Sequence, residues 1–422
     1  MANIRSSYTG GVNFFGGNDP LELIRQYGSP LYVYNEEMLR RRSGEMRDLV
    51  KLPSFKACYS AKANANPHLL RIVRSEGLLV DSMSLGELLM TRAAGFESDE
   101  ILFVCNNVSA EEFKQAQASS RVVSVDSLSQ LELFGKNVPA GSRVMVRVNP
   151  GIGAGHHKKV VTAGKETKFG VNVEDLPRAV ELCEKYKLQL FGINQHIGSL
   201  FMEPDKFLAA AARLLEIVEP FKELEIIDFG GGYGIPYHKY ENEARLDLAD
   251  LGQRFAAMLE EFTAKTGYRG RFVIEPGRYV PAESGVLLGS VTAVKNNGPV
   301  RFVCTDVGFN ILPRPMLYDS FHDVEIYRQG NPAPDSRTMP QTLVGNICES
   351  GDILARDREL PEVQEGDVLG FLDAGAYCFA MSSNYNQRVR PAEILIDRAG
   401  KVKLIRRREV PEDLIAMVTP LD

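Results

Sequence analysis

The sequence contains no apolar run of the roughly 18 residues that a membrane-spanning helix needs, and none is expected. Its opening residues, MANIRSSYTGGVNFFGG, carry no apolar core of a secretory signal. Cysteine is sparse: Cys58, Cys105, Cys183, Cys304, Cys348 and Cys378 show neither CxxC spacing nor the density of a disulfide scaffold. Reduced thiols in a cytoplasmic protein are therefore expected. Positive charge is not in excess, since the formal net charge is -6, which argues against the basic field of a nucleic-acid binder. No low-complexity tract or block of like charge argues for disorder. His156-His157 comes without a matching carboxylate or cysteine array, so no metal site is expected. The run Gly151-Ile152-Gly153-Ala154-Gly155 does not have the dinucleotide fingerprint spacing and reads as a loop.

What the chain does have is length and alternation. Its 422 residues suggest two or three domains. Short β-rich apolar runs start at Phe55, Leu78, Ile101, Val122, Val144, Leu190, Ile226 and Phe272, with helical patterns between them. Examples are Pro67–Ser75, Leu85–Ala94, Ala110–Ala118 and Asp205–Val218. In the last, Phe207, Leu208, Ala211, Leu214, Leu215 and Val218 share one helical face. Strand-helix alternation implies parallel strands, and eight units suffice for a closed (β/α)₈ barrel; an open doubly wound sheet is the rival. Beyond about Pro281 the runs VLLGSVTAVKN, VRFVCTDVG, QTLVGNIC, DVLGFLDAGAY and AEILIDRAGKVKLIRRR read as strands without long helices. Gln329–Thr338 reads as a loop. The expectation is an α/β protein: a barrel over 35–282 and a second, C-terminal β-rich domain from 283–422 plus 1–34. The run Leu31–Tyr34 should pair into that second domain.

Barrel enzymes carry their chemistry at the C-terminal ends of the strands. Reading off those ends gives Lys62, then Asp81 and Ser84, Asn106, Asp126, Asn149, His196 with Ser199, Gly230-Gly231-Gly232, and Glu275-Pro276-Gly277-Arg278. A lysine alone is more often a solvated surface group. At a barrel mouth it is partly desolvated, which suits Schiff-base chemistry. A histidine alone is more often structural, and an arginine beside Glu275 could be half of an ion pair. The glycine run could be a tight turn, or its free N–H groups could form an anion nest.

Together these residues carry a resemblance. SAKAN at Lys62, KFGV at Lys168–Val171, HIGS at His196–Ser199, GGGYGIPY at Gly230–Tyr237, EPGR at Glu275–Arg278, RPMLY at Arg314–Tyr318, CESGD at Cys348–Asp352 and AGAYCFAMSSNYN at Ala374–Asn386 follow one another in order. The sequence resembles the alanine-racemase-like barrel group of pyridoxal phosphate enzymes, and within it the diaminopimelate decarboxylase family, over essentially its whole length. The resemblance implies that Lys62 forms the Schiff base with pyridoxal 5'-phosphate, His196 stacks on its ring and Glu275 holds the ring nitrogen. Ser199, Gly231, Gly232, Gly277 and Tyr377 would bind the phosphate. Arg278, Arg314 and Tyr318 would hold the substrate, with Glu349 and Tyr377. Cys348, the expected proton donor, and Glu349 would enter the active site of the neighbouring subunit in a homodimer. The reaction implied is decarboxylation of meso-diaminopimelate to L-lysine. The alternatives are a decarboxylase of ornithine, lysine or arginine, a racemase of the same group, or an inactive homologue. Leu200, the Ser84-Leu85-Gly86-Glu87 segment and Cys378 depart from the pattern and leave room for a shifted substrate preference.

Overall fold

The computed structural model describes residues 7–151, 168–330 and 337–419. His156-His157, most of the Gly151–Gly155 run and the centre of the Gln329–Thr338 loop lie outside the described residues. The chain divides into two compact units, Arg40–Ile235 with Arg245–Val280, and Met1–Leu39 with Pro236–Ala244 and Pro281–Asp422.

After a first strand, β1 (Leu31–Asn35), the chain enters the barrel. Its strands are β2 (Phe55–Ser60), β3 (Leu79–Ser82), β4 (Ile101–Val104), β5 (Val122–Val125) and β6 (Arg143–Asn149). A two-residue β7 (Val171–Asn172) adds to β6, and β8 (Gln189–Asn194), β9 (Ile226–Asp228) and β10 (Arg271–Ile274) follow. The order β5-β4-β3-β2-β10-β9-β8-β6 closes on itself through β5 and β6. These are the eight runs read from the sequence, their starts shifted by no more than one residue. The neighbouring pairs are parallel, such as Phe272 beside Phe55 and Val123 beside Val144. The barrel is filled by Cys58, Leu102, Val122, Met145, Phe191, Ile226 and Val273. Burial of such side chains contributes about 1.5–3 kcal/mol each.

The crossover helices start where capping residues stand. Asn66 accepts the His68 N–H ahead of Pro67–Ser75, with Pro67 in the first turn where its missing N–H costs nothing. Ser109 and Glu112 form a reciprocal capping box for Ala110–Ser119. Leu69, Leu70, Ile72 and Val73 form the buried face of the former helix.

The second unit is a mixed sheet of β1 with β11 (Gly285–Asn297), β12 (Val300–Thr305), β13 (Val324–Tyr327), β14 (Met339–Val344), β15 (Ile353–Leu360), β16 (Val368–Phe371), β17 (Ala392–Ile396) and β18 (Val402–Arg406). β1 lies antiparallel to β11 and parallel to β17, so the early segment is a central strand of the late sheet. Phe14, Phe15, Leu31, Val33, Val286, Leu288, Ile394 and Ile396 form its core. Segment Pro236–Ala244 is fixed there by Lys239, whose ammonium lies 2.8 Å from Glu283 and 3.3 Å from Asp373, all three nearly water-free. No helix among the described residues is long and apolar enough to cross a membrane.

Candidate active site

Lys62 follows β2 in a single turn, Ala61–Ala63, flanked by buried Ala61 and Ala63. Its side chain is 35% exposed and its Nζ stands 3.8 Å from Asp81 Oδ2. Ser60 Oγ donates to the same Asp81 oxygen at 2.6 Å, while Asp81 Oδ1 is buried without a hydrogen-bond partner. Asp81 thus holds the ammonium at the barrel mouth.

Opposite charge is scarce there relative to acid. Glu275 and Asp228 are 3% and 0% exposed and stand close enough to raise each other's charge cost. Burial, then the charge of Asp81, pushes Glu275 up to about 7; burial, then Glu275, drives Asp228 upward as well. Two neighbouring carboxyls removed from water oppose each other's ionisation. Asp228 Oδ1 accepts the Gly230 N–H at 2.9 Å, whereas Asp228 Oδ2 and Glu275 Oε1 are buried with no N–H or hydroxyl donor. Arg147 is the balancing cation within the barrel, 8% exposed and stacked 4.6 Å over Phe169.

His196 follows β8, and its Nδ1 accepts the Gly231 N–H at 3.1 Å, which leaves the ring proton on Nε2. Burial, with the charges of Arg147 and Lys62, holds its pKa well below the ordinary imidazole value, so the ring is neutral. The glycine run is demanded by space. A Cβ on Gly231 would stand 2.0 Å from the Glu275 carbonyl, and one on Gly230 2.2 Å from that of Gln195. This corrects the expectation of a nest of free amides. The Gly230 and Gly231 N–H groups are already used by Asp228 and His196, and Gly232 takes φ 112°. Arg278 is not paired with Glu275 in an ion bridge; its Nη2 donates to Ser199 Oγ at 3.1 Å. Gly277 precedes it on the same turn.

The remaining expected residues lie in the β-rich unit. Arg314 opens the short helix Arg314–Tyr318 and is 1% exposed. Its partners are neutral: His322 Nε2 at 3.1 Å, Ser320 Oγ at 3.2 Å and the Tyr237 ring at 4.8 Å. Among the described residues no carboxylate pairs with it. Tyr318 is half-buried, and Tyr377 sits at φ 57°, a left-handed conformation uncommon for a bulky residue. Cys348 and Glu349 are both exposed. Of the departures, Leu200 takes φ 66°, Ser84 caps the helix Leu85–Ala93, and the Cys378 thiol is buried.

The sequence alone does not mark Asp228 or Arg147 as site residues. A lone acid ending Ile226-Ile227-Asp228 and a lone cation in Val-Met-Val-Arg-Val were the available signals. Among the described residues no group of three or more His, Cys, Asp or Glu is placed to hold a metal.

An amine, a neutral aromatic ring, a bare glycine turn and a buried carboxylate oxygen awaiting a donor together fit pyridoxal phosphate. Residues 37–282 match the family model described as pyridoxal-dependent decarboxylase, pyridoxal binding domain. Fold and site thus define a pyridoxal-dependent decarboxylase of the barrel type. The chain is 38% identical to a diaminopimelate decarboxylase of Methanothermobacter thermautotrophicus, over 95% of this chain and 94% of that one. The corresponding Escherichia coli K12 protein is 36% identical, over 94% and 95%. The crystal structure of the M. jannaschii enzyme in complex with L-lysine superposes with a TM-score of 0.85 at 31% identity, covering 96% and 95%. The chain belongs to the diaminopimelate decarboxylase family.

Proposed function

We propose that this protein decarboxylates meso-2,6-diaminopimelate at its D-configured centre, yielding L-lysine and carbon dioxide in lysine biosynthesis. The observation that carries the substrate choice is Arg314, a buried guanidinium whose partners among the described residues are all neutral. A guanidinium removed from water needs an anion, and a planar fork suits a carboxylate. A substrate with a second carboxylate at its far end supplies one. An ornithine, lysine or arginine decarboxylase would need an acid for the distal cation instead.

Lys62 would hold pyridoxal phosphate through its amine, and the cofactor would supply the electron sink that loss of carbon dioxide requires. Glu275 would hold the ring nitrogen, and the neutral His196 would stack on the cofactor ring. Ser199, Gly232, Gly277 and Tyr377 hold the phosphate, with Gly231 giving the close backbone approach. Arg278, Arg314, Tyr318 and Glu349 hold the substrate. Asp81 keeps the Lys62 amine beside the reacting carbon. Cys348 returns a proton to the carbon that has lost its carboxylate.

The exposure of Cys348 and Glu349 supports a homodimer in which each subunit lends these residues to the other. Six cysteines outside any disulfide fit a reducing cytoplasm.

The test is carbon dioxide release from meso-diaminopimelate, L-ornithine, L-lysine and L-arginine by the cofactor-loaded protein. Turnover of diaminopimelate with L-lysine as product is expected. Faster release from any of the other three would overturn the assignment.

A further inference from the structure

The loop bearing Cys348 and Glu349 is gripped by two consecutive residues of a distant segment. Cys348 N–H donates to Asn386 Oδ1 at 3.0 Å, and Asn386 Nδ2 donates to Cys348 Sγ at 3.1 Å. A backbone N–H can only donate, so it fixes which end of the amide faces the sulfur. Next to this pair, the Tyr385 hydroxyl donates to the Glu349 carboxylate, which pushes the phenol up. The Tyr385 ring leans on Phe309, with centroids 5.8 Å apart. Asn386 and Gln387 both take φ 55°, two left-handed non-glycine residues in succession. Asparagine tolerates that conformation unusually well, yet such backbone persists only where its surroundings hold it. Cys348, Glu349, Tyr385 and Asn386 are all exposed, so core packing does not set this geometry.

We propose that Asn386 is a positioning residue for the Cys348 thiol. The proposal rests on the reading of Cys348 as proton donor. Asn386 fixes the direction of Sγ and presents an N–H to it. When the S–H bond breaks and a C–H bond forms on the carbon that has lost carbon dioxide, the electron pair stays on sulfur. The thiolate then recovers a proton from water. A neutral thiol is a weak acceptor and a thiolate a strong one, so the Asn386 contact strengthens as the proton leaves. An interaction that grows during the step raises kcat rather than lowering KM.

Asn386→Asp keeps an acceptor for the Cys348 N–H and tolerates the backbone, but has no donor for Sγ. Asn386→Gly keeps only the backbone freedom. In the cofactor-loaded protein, both should lower kcat for meso-diaminopimelate about tenfold or more, with KM changed less than about twofold. The solvent deuterium isotope effect on kcat should rise, because proton delivery becomes limiting. A second readout needs no turnover: alkylation of Cys348 by iodoacetamide at fixed pH, followed by peptide mass, should slow several-fold in Asn386→Asp, whose carboxylate opposes charge on sulfur. If the unaltered protein makes no lysine, the functional reading fails while the alkylation contrast still tests Asn386. Wild-type kcat, isotope effect and alkylation rate in Asn386→Asp would overturn the proposal.

Discussion

Replacing Arg314 by methionine separates a substrate-binding arginine from a structural one. Its guanidinium is 1% exposed and rests on His322, Ser320 and the Tyr237 face. Burying a charge without a counter-ion costs several kcal/mol, which these neutral contacts offset only in part. Methionine removes the cost and the contacts together, so unfolding free energy should stay within about 1 kcal/mol of wild type or rise. The substrate carboxylate, in contrast, loses a charge-assisted bidentate pair of about 2–3 kcal/mol. At 1.4 kcal/mol per decade, kcat/KM for meso-diaminopimelate should fall about 30- to 150-fold. Steady-state kinetics and urea denaturation on the same preparation decide it. A variant that unfolds easily yet keeps kcat/KM within about threefold would make Arg314 structural and refute the reasoning.

Other perturbations follow from the same geometry. Gly231→Ala places a Cβ 2.0 Å from the Glu275 carbonyl, so the cost should exceed the usual 1–3 kcal/mol of overpacking, read as lost cofactor retention and a lower melting temperature. Lys239→Met takes the ammonium away from Glu283 and Asp373, both water-free, and should destabilise by about 3–5 kcal/mol in urea titration. Asp373 is pushed up to about 7 because burial outweighs the one ammonium it shares with Glu283. Its folded pKa exceeds its unfolded one, so the unfolded chain binds fewer protons and stability falls as pH rises from about 4 to about 7. Asp373→Asn should flatten that part of the profile; an unchanged slope would discount Asp373 as its source.

Much of the architecture was legible in the chain because its physics is local. Barrel strands buried on both faces read as runs such as Val122-Val-Ser-Val125, and Asn66-Pro67 announces a helix start by itself. The chemistry-bearing strand ends followed from the strands. What was not legible depends on distant partners. Segment Pro236–Ala244 groups with the β-rich unit rather than with the barrel expected over 35–282, and its hold is Lys239 meeting Glu283 and Asp373 far along the chain. The glycine run shows no partner for its amides in sequence, because Asp228 and His196 reach two of them only through the fold. Asp228 itself looks like any strand-terminal acid; only its burial in the closed barrel, and then the neighbouring Glu275 brought by the β9–β10 pairing, push its pKa up.

The most direct test of the account is where the cofactor attaches. Borohydride reduction of the pyridoxal-phosphate-loaded protein should fix the label on the peptide containing Lys62, and Lys62→Ala should lose both the label and lysine formation from meso-diaminopimelate. A label on another lysine, or turnover surviving in Lys62→Ala, would contradict it.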